Sequence, residues 1–147
     1  MQRLRFITAY LAAPSARLRN FGTVALLSML SFNLNADYQR LEAIVAATRQ
    51  ELLEVAPAIA QSLGHSDATL AHVAYRGLAQ LGAHESALSV FQNTNSSAQQ
   101  IRGASLALMR IHKTEVIDAM LKHLDKKKSK LFRSSFEILA RLYHQEK

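Results

Sequence analysis

Cysteine is absent from the 147-residue sequence, and glycine and proline are scarce, at five and two residues. Without a thiol the chain cannot build a disulfide framework, a zinc finger, an iron–sulfur site, a thiol nucleophile or a c-type haem attachment. The absence leaves the compartment open, because a cysteine-free chain is viable in either redox setting. So few glycines and prolines leave little material for the many tight turns of a β protein. No apolar stretch reaches the ~20 residues that a membrane-crossing helix needs, so no membrane span is expected. Catalytic signatures are missing as well: there is no Gly-x-Ser-x-Gly elbow and no His-Glu-x-x-His pair. Gly22, Gly64, Gly77, Gly82 and Gly103 stand isolated, so no glycine-rich loop can cradle a phosphate. The six histidines include no pair three or four residues apart, the spacing that puts two metal ligands on one helix face. Glu51 and Glu54 lie three apart, but two carboxylates on a solvated helix face are ordinary. The expectation is a protein without catalytic residues, cofactor or metal, and not an enzyme.

What the chain does contain is positive charge, unevenly spread. The net charge is +7. Residues 1–36 carry four arginines and no acid, residues 37–100 three basic and six acidic side chains, and residues 101–147 eleven basic and five acidic. The densest run is Lys126, Lys127, Lys128 and Lys130. Such a run attracts anions of any kind through its summed field, and its bland reading is a solvated loop between helices. The acid-free, arginine-bearing start followed by apolar 23–32 fits the loose pattern of a signal or transit sequence, so 1–36 is expected to be either a targeting or a capping segment. A cytoplasmic location is favoured unless that segment directs secretion.

Apolar spacing is helical almost throughout. Leu41, Ile44, Val45, Thr48 and Leu52 recur in steps of three and four, as do Ile101, Ala104, Leu108 and Ile111, and again Phe132, Phe136, Leu139 and Tyr143. Ser15, Ser66-Asp67, Ser96-Ser97 and Ser129 are helix-starting candidates, since their oxygens can accept the unpaired amides of a first turn. Gly64 and Gly82 are natural helix ends, and Pro57 belongs in the first turn of its helix or kinks it. Gly77 and Gly103 fall inside helices, where close helix packing is the expected reason. Nine helices are predicted, at 2–12, 15–32, 37–49, 51–63, 67–82, 84–93, 97–111, 114–125 and 129–144, joined by short turns that suit antiparallel neighbours.

A repeat underlies these helices. Ile101-Arg102 and Phe132-Arg133 are apolar-basic pairs 31 residues apart, each opening a helix after a polar loop, and Leu70-Ala71 stands 31 residues earlier. A period near 31 with two helices per unit is the signature of a helical solenoid. The segment 101–133, IRGASLALMRIHKTEVIDAMLKHLDKKKSKLFR, resembles a HEAT repeat, and 66–82, SDATLAHVAYRGLAQLG, resembles the first helix of such a unit. The resemblance implies an all-α fold, a right-handed α-solenoid of antiparallel hairpins spanning 1–147 as one helical-repeat domain. In such a unit the arginine pairs with a carboxylate in a neighbouring turn, which makes Arg102 and Arg133 structural positions. A narrower likeness, through ALMRIHKTEVIDAMLKHL and ILARLYHQE, is to the HEAT-like segment of large bacterial proteins that join a propeller-type dehydrogenase to a cytochrome c domain; it implies a helical spacer.

The remaining candidate is surface. Second helices of a solenoid line its concave side, where extended partners bind. This places Lys122 and His123, with Glu115, Asp118, Glu85, Gln92 and Asn93, on the expected binding surface, extended by Lys126, Lys127, Lys128 and Lys130. His72 is expected to be partly buried. The leading expectation is a non-catalytic scaffold for a protein partner or a spacer in a larger assembly. The alternative is a nucleic-acid-binding module using Arg102, Arg110, Lys122, Lys126, Lys127, Lys128, Lys130 and Arg133 on phosphates. A third reading, an accessory subunit resembling the HEAT-like lyases that attach bilin pigments, has no residue marking a pigment site.

Overall fold

The computed structural model describes residues 37–125 and 130–145, and within them every regular element is helical. The helices are α1 (Asp37–Arg49), α2 (Ala56–Ala60), α3 (Ala68–Gln80), α4 (His84–Gln92), α5 (Ala98–Leu108), α6 (Thr114–Leu124) and α7 (Phe132–Gln145), with a 3-10 turn at Leu53–Val55 ahead of α2. The helices predicted at 2–12 and 15–32, the targeting or capping role of 1–36, and Lys126, Lys127, Lys128 and Ser129 lie outside the described residues.

Local chemistry sets most of the boundaries. One oxygen of Asp67 accepts the amides of Thr69 at 2.7 Å and Leu70 at 3.1 Å, starting α3. Those bonds, first to Leu70 and then to Thr69, hold the Asp67 carboxyl below its ordinary range. Ser97 opens α5 through a reciprocal pair: its hydroxyl accepts the Gln100 amide at 3.2 Å, and the Gln100 side chain accepts the Ser97 amide at 2.8 Å. At the other end of α3, Gly82 takes a left-handed φ of 63°. Its amide donates to Ala79 at 3.1 Å while Ala83 reaches back to Leu78 at 3.0 Å, closing the last carbonyls as glycine-terminated helices do.

Two sequence expectations are corrected. The helix predicted at 51–63 is broken. α1 ends with the same two-bond closure, Glu51 to Thr48 at 3.2 Å and Leu52 to Ala47 at 3.0 Å, and the residue at the left-handed position is Glu51, at φ 55°. A 3-10 turn and the short α2 follow, with Pro57 in the first turn of α2. Gly64, expected as a helix end, does not take the left-handed backbone by which glycine usually ends a helix. It is required by proximity instead: a β-carbon there would lie 3.0 Å from the Gln100 amide nitrogen.

The helices pack in two rows. α1, α3, α5 and α7 each pack on the next in that order, and α2, α4 and α6 do the same beside them. Consecutive helices α3–α4, α4–α5 and α6–α7 link the rows. The apolar core is continuous from Ile44 and Ile59 through Leu70, Leu78, Phe91 and Leu108 to Val116, Met120 and Ile138, all fully buried. Gly77 brings α3 against α1, where an added β-carbon would lie 2.9 Å from the Thr48 hydroxyl and 3.1 Å from Ile44 Cγ2. Gly103 brings α5 against the backbone carbonyl of Leu63. Both internal glycines therefore serve close packing, as expected. His65 pins the turn before α3 to the start of α1: its Nδ1 accepts the Asp67 amide at 3.1 Å, so Nε2 carries the proton facing Asp37 at 3.4 Å.

Candidate binding groove

α6 has the sequence TEVIDAMLKHL, and its two faces are chemically distinct. Val116 and Met120, one turn apart, are fully buried against the core. Glu115, Asp118, Ala119, Lys122 and His123 recur at steps of three, one, three and one, so they share a second face. With Gln92 at the end of α4, these residues line a groove of about 470 Å³. The neighbouring Phe91 of α4 is fully buried, and its ring meets the His123 ring edge-to-face at 5.9 Å. That contact holds the imidazole at the groove rather than free in solvent.

The charge in the groove is ordered along the helix. Glu115 stands in the first turn of α6, with Asp118 one turn on, and Lys122 and His123 occupy the last turn. Carboxylates near a helix N-terminus and cations near its C-terminus both complement the helix dipole, which stabilises each by about 0.3–1 kcal/mol at an exposed site. The same arrangement gives a ligand an acidic end and a basic end within about 12 Å, the rise of eight helical residues. No group of three or more metal-ligating side chains occurs among the described residues.

The sequence-predicted surface residues separate. Lys122, His123, Glu115, Asp118 and Gln92 come together in this groove. Glu85 lines a different depression of about 350 Å³ at the N-terminal edge of the second row, with Leu53, Glu54, His84 and Lys113. Lys130 is exposed in the turn before α7. Arg102 and Arg133 are on α5 and α7 of the other row, both exposed. Arg133 does not pair with a carboxylate in a neighbouring turn; its Nε donates to Glu137 of its own helix at 3.0 Å, four residues on, and its side chain is 90% exposed. Arg102 makes no ion pair among the described residues. His72 is exposed rather than partly buried, with its Nδ1 3.0 Å from the Tyr75 hydroxyl. Ala119, which lines the groove, and Phe91, which meets the His123 ring, were not singled out from sequence, although the three-and-four spacing from Glu115 to His123 already marked the face.

Among the described residues, the groups displaced from their ordinary values include Asp67 and Tyr38, and both serve local structure. Asp67 is lowered by its cap bonds, and the Tyr38 phenol is raised by its hydrogen bond to Glu42 and by that carboxylate's charge.

No helix among the described residues is long and apolar enough to cross a membrane. No protein-family model matches the chain, and no significant match is found among curated proteins or solved structures.

Proposed function

We propose that the chain is a non-catalytic HEAT-like repeat scaffold, a right-handed α-solenoid of helical hairpins, that binds a polypeptide segment along its second row of helices. The repeat reading is supported by burial. Ile44, Ala47 and Thr48 of α1 are matched thirty residues later by Ala74, Gly77 and Leu78 of α3, and thirty later again by Ala104, Ala107 and Leu108 of α5; all nine are buried. Ser135 and Ile138 of α7 follow 31 residues after Ala104 and Ala107, and both are fully buried. A spacing of thirty to 31 suits the period of about 31 expected from the apolar-basic pairs. Each helix packs on its next-but-one neighbour, as in a stack whose units cannot bury their apolar faces alone.

The observation that carries the binding role is the α6 groove, which orders two carboxylates and two basic side chains along one helix face. A polypeptide with a basic residue facing Glu115 and Asp118 and an acidic residue facing Lys122 and His123 matches it, and the reversed polarity does not. Such ordered charge discriminates between partners and between orientations more than it adds affinity.

The test is selection from a random peptide display library on the intact chain, followed by binding measurements on Glu115→Lys/Asp118→Lys. The selected peptides should place a basic residue before or after an acidic one at a fixed spacing, and the double variant should bind them at least tenfold more weakly. Selected peptides that bind the double variant and the parent equally well would remove the groove from the function.

A further inference from the structure

We infer that the exposed face of the first row, across α1, α3 and α5, is a second and separate binding surface, and that its ligand is the sugar–phosphate backbone of a nucleic acid. The arginines gather on the first row, which also carries Asp37 and Glu42 on α1 and Glu137 on α7, while Lys122 stands on the second row. Every arginine among the described residues lies on the first row or in the turn closing α5: Arg40, Arg49, Arg76, Arg102, Arg110, Arg133 and Arg141. The acids of α2, α4, α6 and the turns leading into them, Glu54, Glu85, Glu115 and Asp118, belong to the second row. Helices α3 and α5 contain no Asp or Glu at all.

The arginines are also placed together. His72, Arg76 and Gln80 stand four residues apart on α3 and are all exposed; Arg102 and Arg110 bracket the equivalent stripe of α5. Arg49, Arg76, His72 and Gln80 rim one groove between α1 and α3, of about 260 Å³. Tyr75 joins α3 to α5: His72 bonds its hydroxyl and meets its ring edge-to-face at 4.9 Å, and the Arg110 guanidinium lies over the same ring at 5.2 Å. Arg110 also donates to the Leu106 carbonyl at 2.7 Å, which fixes the guanidinium plane. No described carboxylate pairs with Arg49, Arg76 or Arg102.

The chemistry of this face selects the ligand class. Arginine presents a planar fork that bonds phosphate oxygens two at a time, where lysine offers only a point charge. Adjacent packed helices are about 8–10 Å apart, and Arg102 and Arg110 stand eight residues apart, on α5 and in the turn that closes it. Cations at such intervals meet a repeating anion rather than a single one. A tyrosine held among them offers a stacking or sugar contact that an acidic peptide would not use. An anionic lipid surface would want large exposed apolar side chains beside the cations; of those among the described residues Tyr38 alone is on this face, at the start of α1, and Leu53, Leu121, Phe132, Phe136 and Tyr143 lie off it.

The test is fluorescence anisotropy of the full chain with a labelled random-sequence duplex and the same-length single strand, across 50–200 mM salt. Phosphate contacts release counterions in proportion to their number, so four arginines contribute about −3.6 to the slope of log affinity against log salt for duplex and about −2.8 for single strand. The double variant Arg76→Gln/Arg102→Gln should flatten that slope by about two and weaken binding at 50 mM salt at least tenfold, and Arg76→Lys/Arg102→Lys should restore the slope. Arg110→Gln alone, expected to flatten it by about one, serves if the double variant fails to fold. Replacing Lys126, Lys127 and Lys128 by alanine should leave the effect of the arginine variants unchanged. The inference is overturned by absence of binding at 50 mM salt, by a slope that only the lysine variant alters, or by binding of phosphatidylserine vesicles, but not oligonucleotides, that Arg76→Gln/Arg102→Gln abolishes.

Discussion

Replacing Gly103 by alanine tests the packing of the two rows most directly, because two effects of known size oppose each other there. In a solvent-facing helix interior the change stabilises by about 0.8–1 kcal/mol, since glycine has more backbone freedom to lose on folding. At Gly103 the new methyl meets the carbonyl oxygen and carbon of Leu63, the carbon at 3.1 Å, and a backbone carbonyl cannot rotate aside as a side chain can. Overpacking a filled site costs about 1–3 kcal/mol, and a backbone obstacle places this case in the upper part of that range. The net expectation is a loss of about 1–2 kcal/mol, which for a domain of this size lowers the melting temperature by about 3–6 °C. Urea and thermal unfolding followed by circular dichroism give both numbers. Gly77→Ala is the internal comparison: its obstacles are the ends of Thr48 and Ile44 side chains, so the same helix-propensity gain offsets most of its cost. A melting temperature that rises for Gly103→Ala, as it would for an exposed helical glycine, would mean that α5 does not lie against the turn after α2.

Other expectations follow from single contacts. Phe91→Ala removes a fully buried ring that also supports His123, and should cost about 3–5 kcal/mol in unfolding free energy. Ser135→Ala should be neutral or stabilise by up to about 2 kcal/mol, because the Ser135 hydroxyl is fully buried and no hydrogen-bond partner is present for it among the described residues. A clear loss of stability on that change would show that the hydroxyl is satisfied. Ser97→Ala breaks the reciprocal cap of α5 and should cost about 1 kcal/mol by urea titration. Asp67 is held below its ordinary value of 3.8 in the folded chain. The stability it contributes is therefore complete above that pH and disappears as pH falls from there through the lowered folded value. Asp67→Asn keeps a capping oxygen without the charge, so its stability should fall less over the same acid range, measured by unfolding at stepped pH.

The helical architecture was legible because its signals are local. Asp67, Ser97 and Gly82 bound helices through groups within two to five residues of themselves, and the apolar steps of three and four named the buried faces of α1 and α5; on α7 they picked Phe132, Phe136 and Tyr143, which are exposed, whereas the buried face is Ser135, Ile138 and Leu142. The break after Arg49 was not legible, since glutamate is an ordinary helix former and nothing in its type marks Glu51 for a left-handed backbone. Leu52 decides it: burying that side chain under the end of α1 requires the chain to turn there. Gly64 was misread for a related reason, as its constraint comes from Gln100, thirty-six residues away, and no local rule reports such an approach. In the α6 groove, Glu115, Asp118, Lys122 and His123 were grouped with Gln92 from sequence, whereas the contact of Phe91 with His123 depends on how α4 is laid beside α6. Of the arginine face, Arg102 and Arg110 were legible as phosphate contacts, but Arg49 and Arg76 were not, because each helix supplies only one or two of its cations and the consecutive lysines at Lys126 dominate the charge pattern.

The order in which helices touch also governs how the chain folds. Each helix of a row meets a partner only about thirty residues away, so few contacts require distant parts of the chain to find each other. Loop-closure entropy is small under these conditions, and folding is expected to fall in the microsecond-to-millisecond range of helical proteins of low contact order, which stopped-flow or temperature-jump refolding checks. The converse holds for opening. α7 packs on α5 and α6 while presenting Phe136 and Tyr143, 59% and 60% exposed, to solvent. Amide exchange should accordingly be fastest in α7 and slowest around Leu78 and Leu108, with the described helices opening from that end inward rather than all at once.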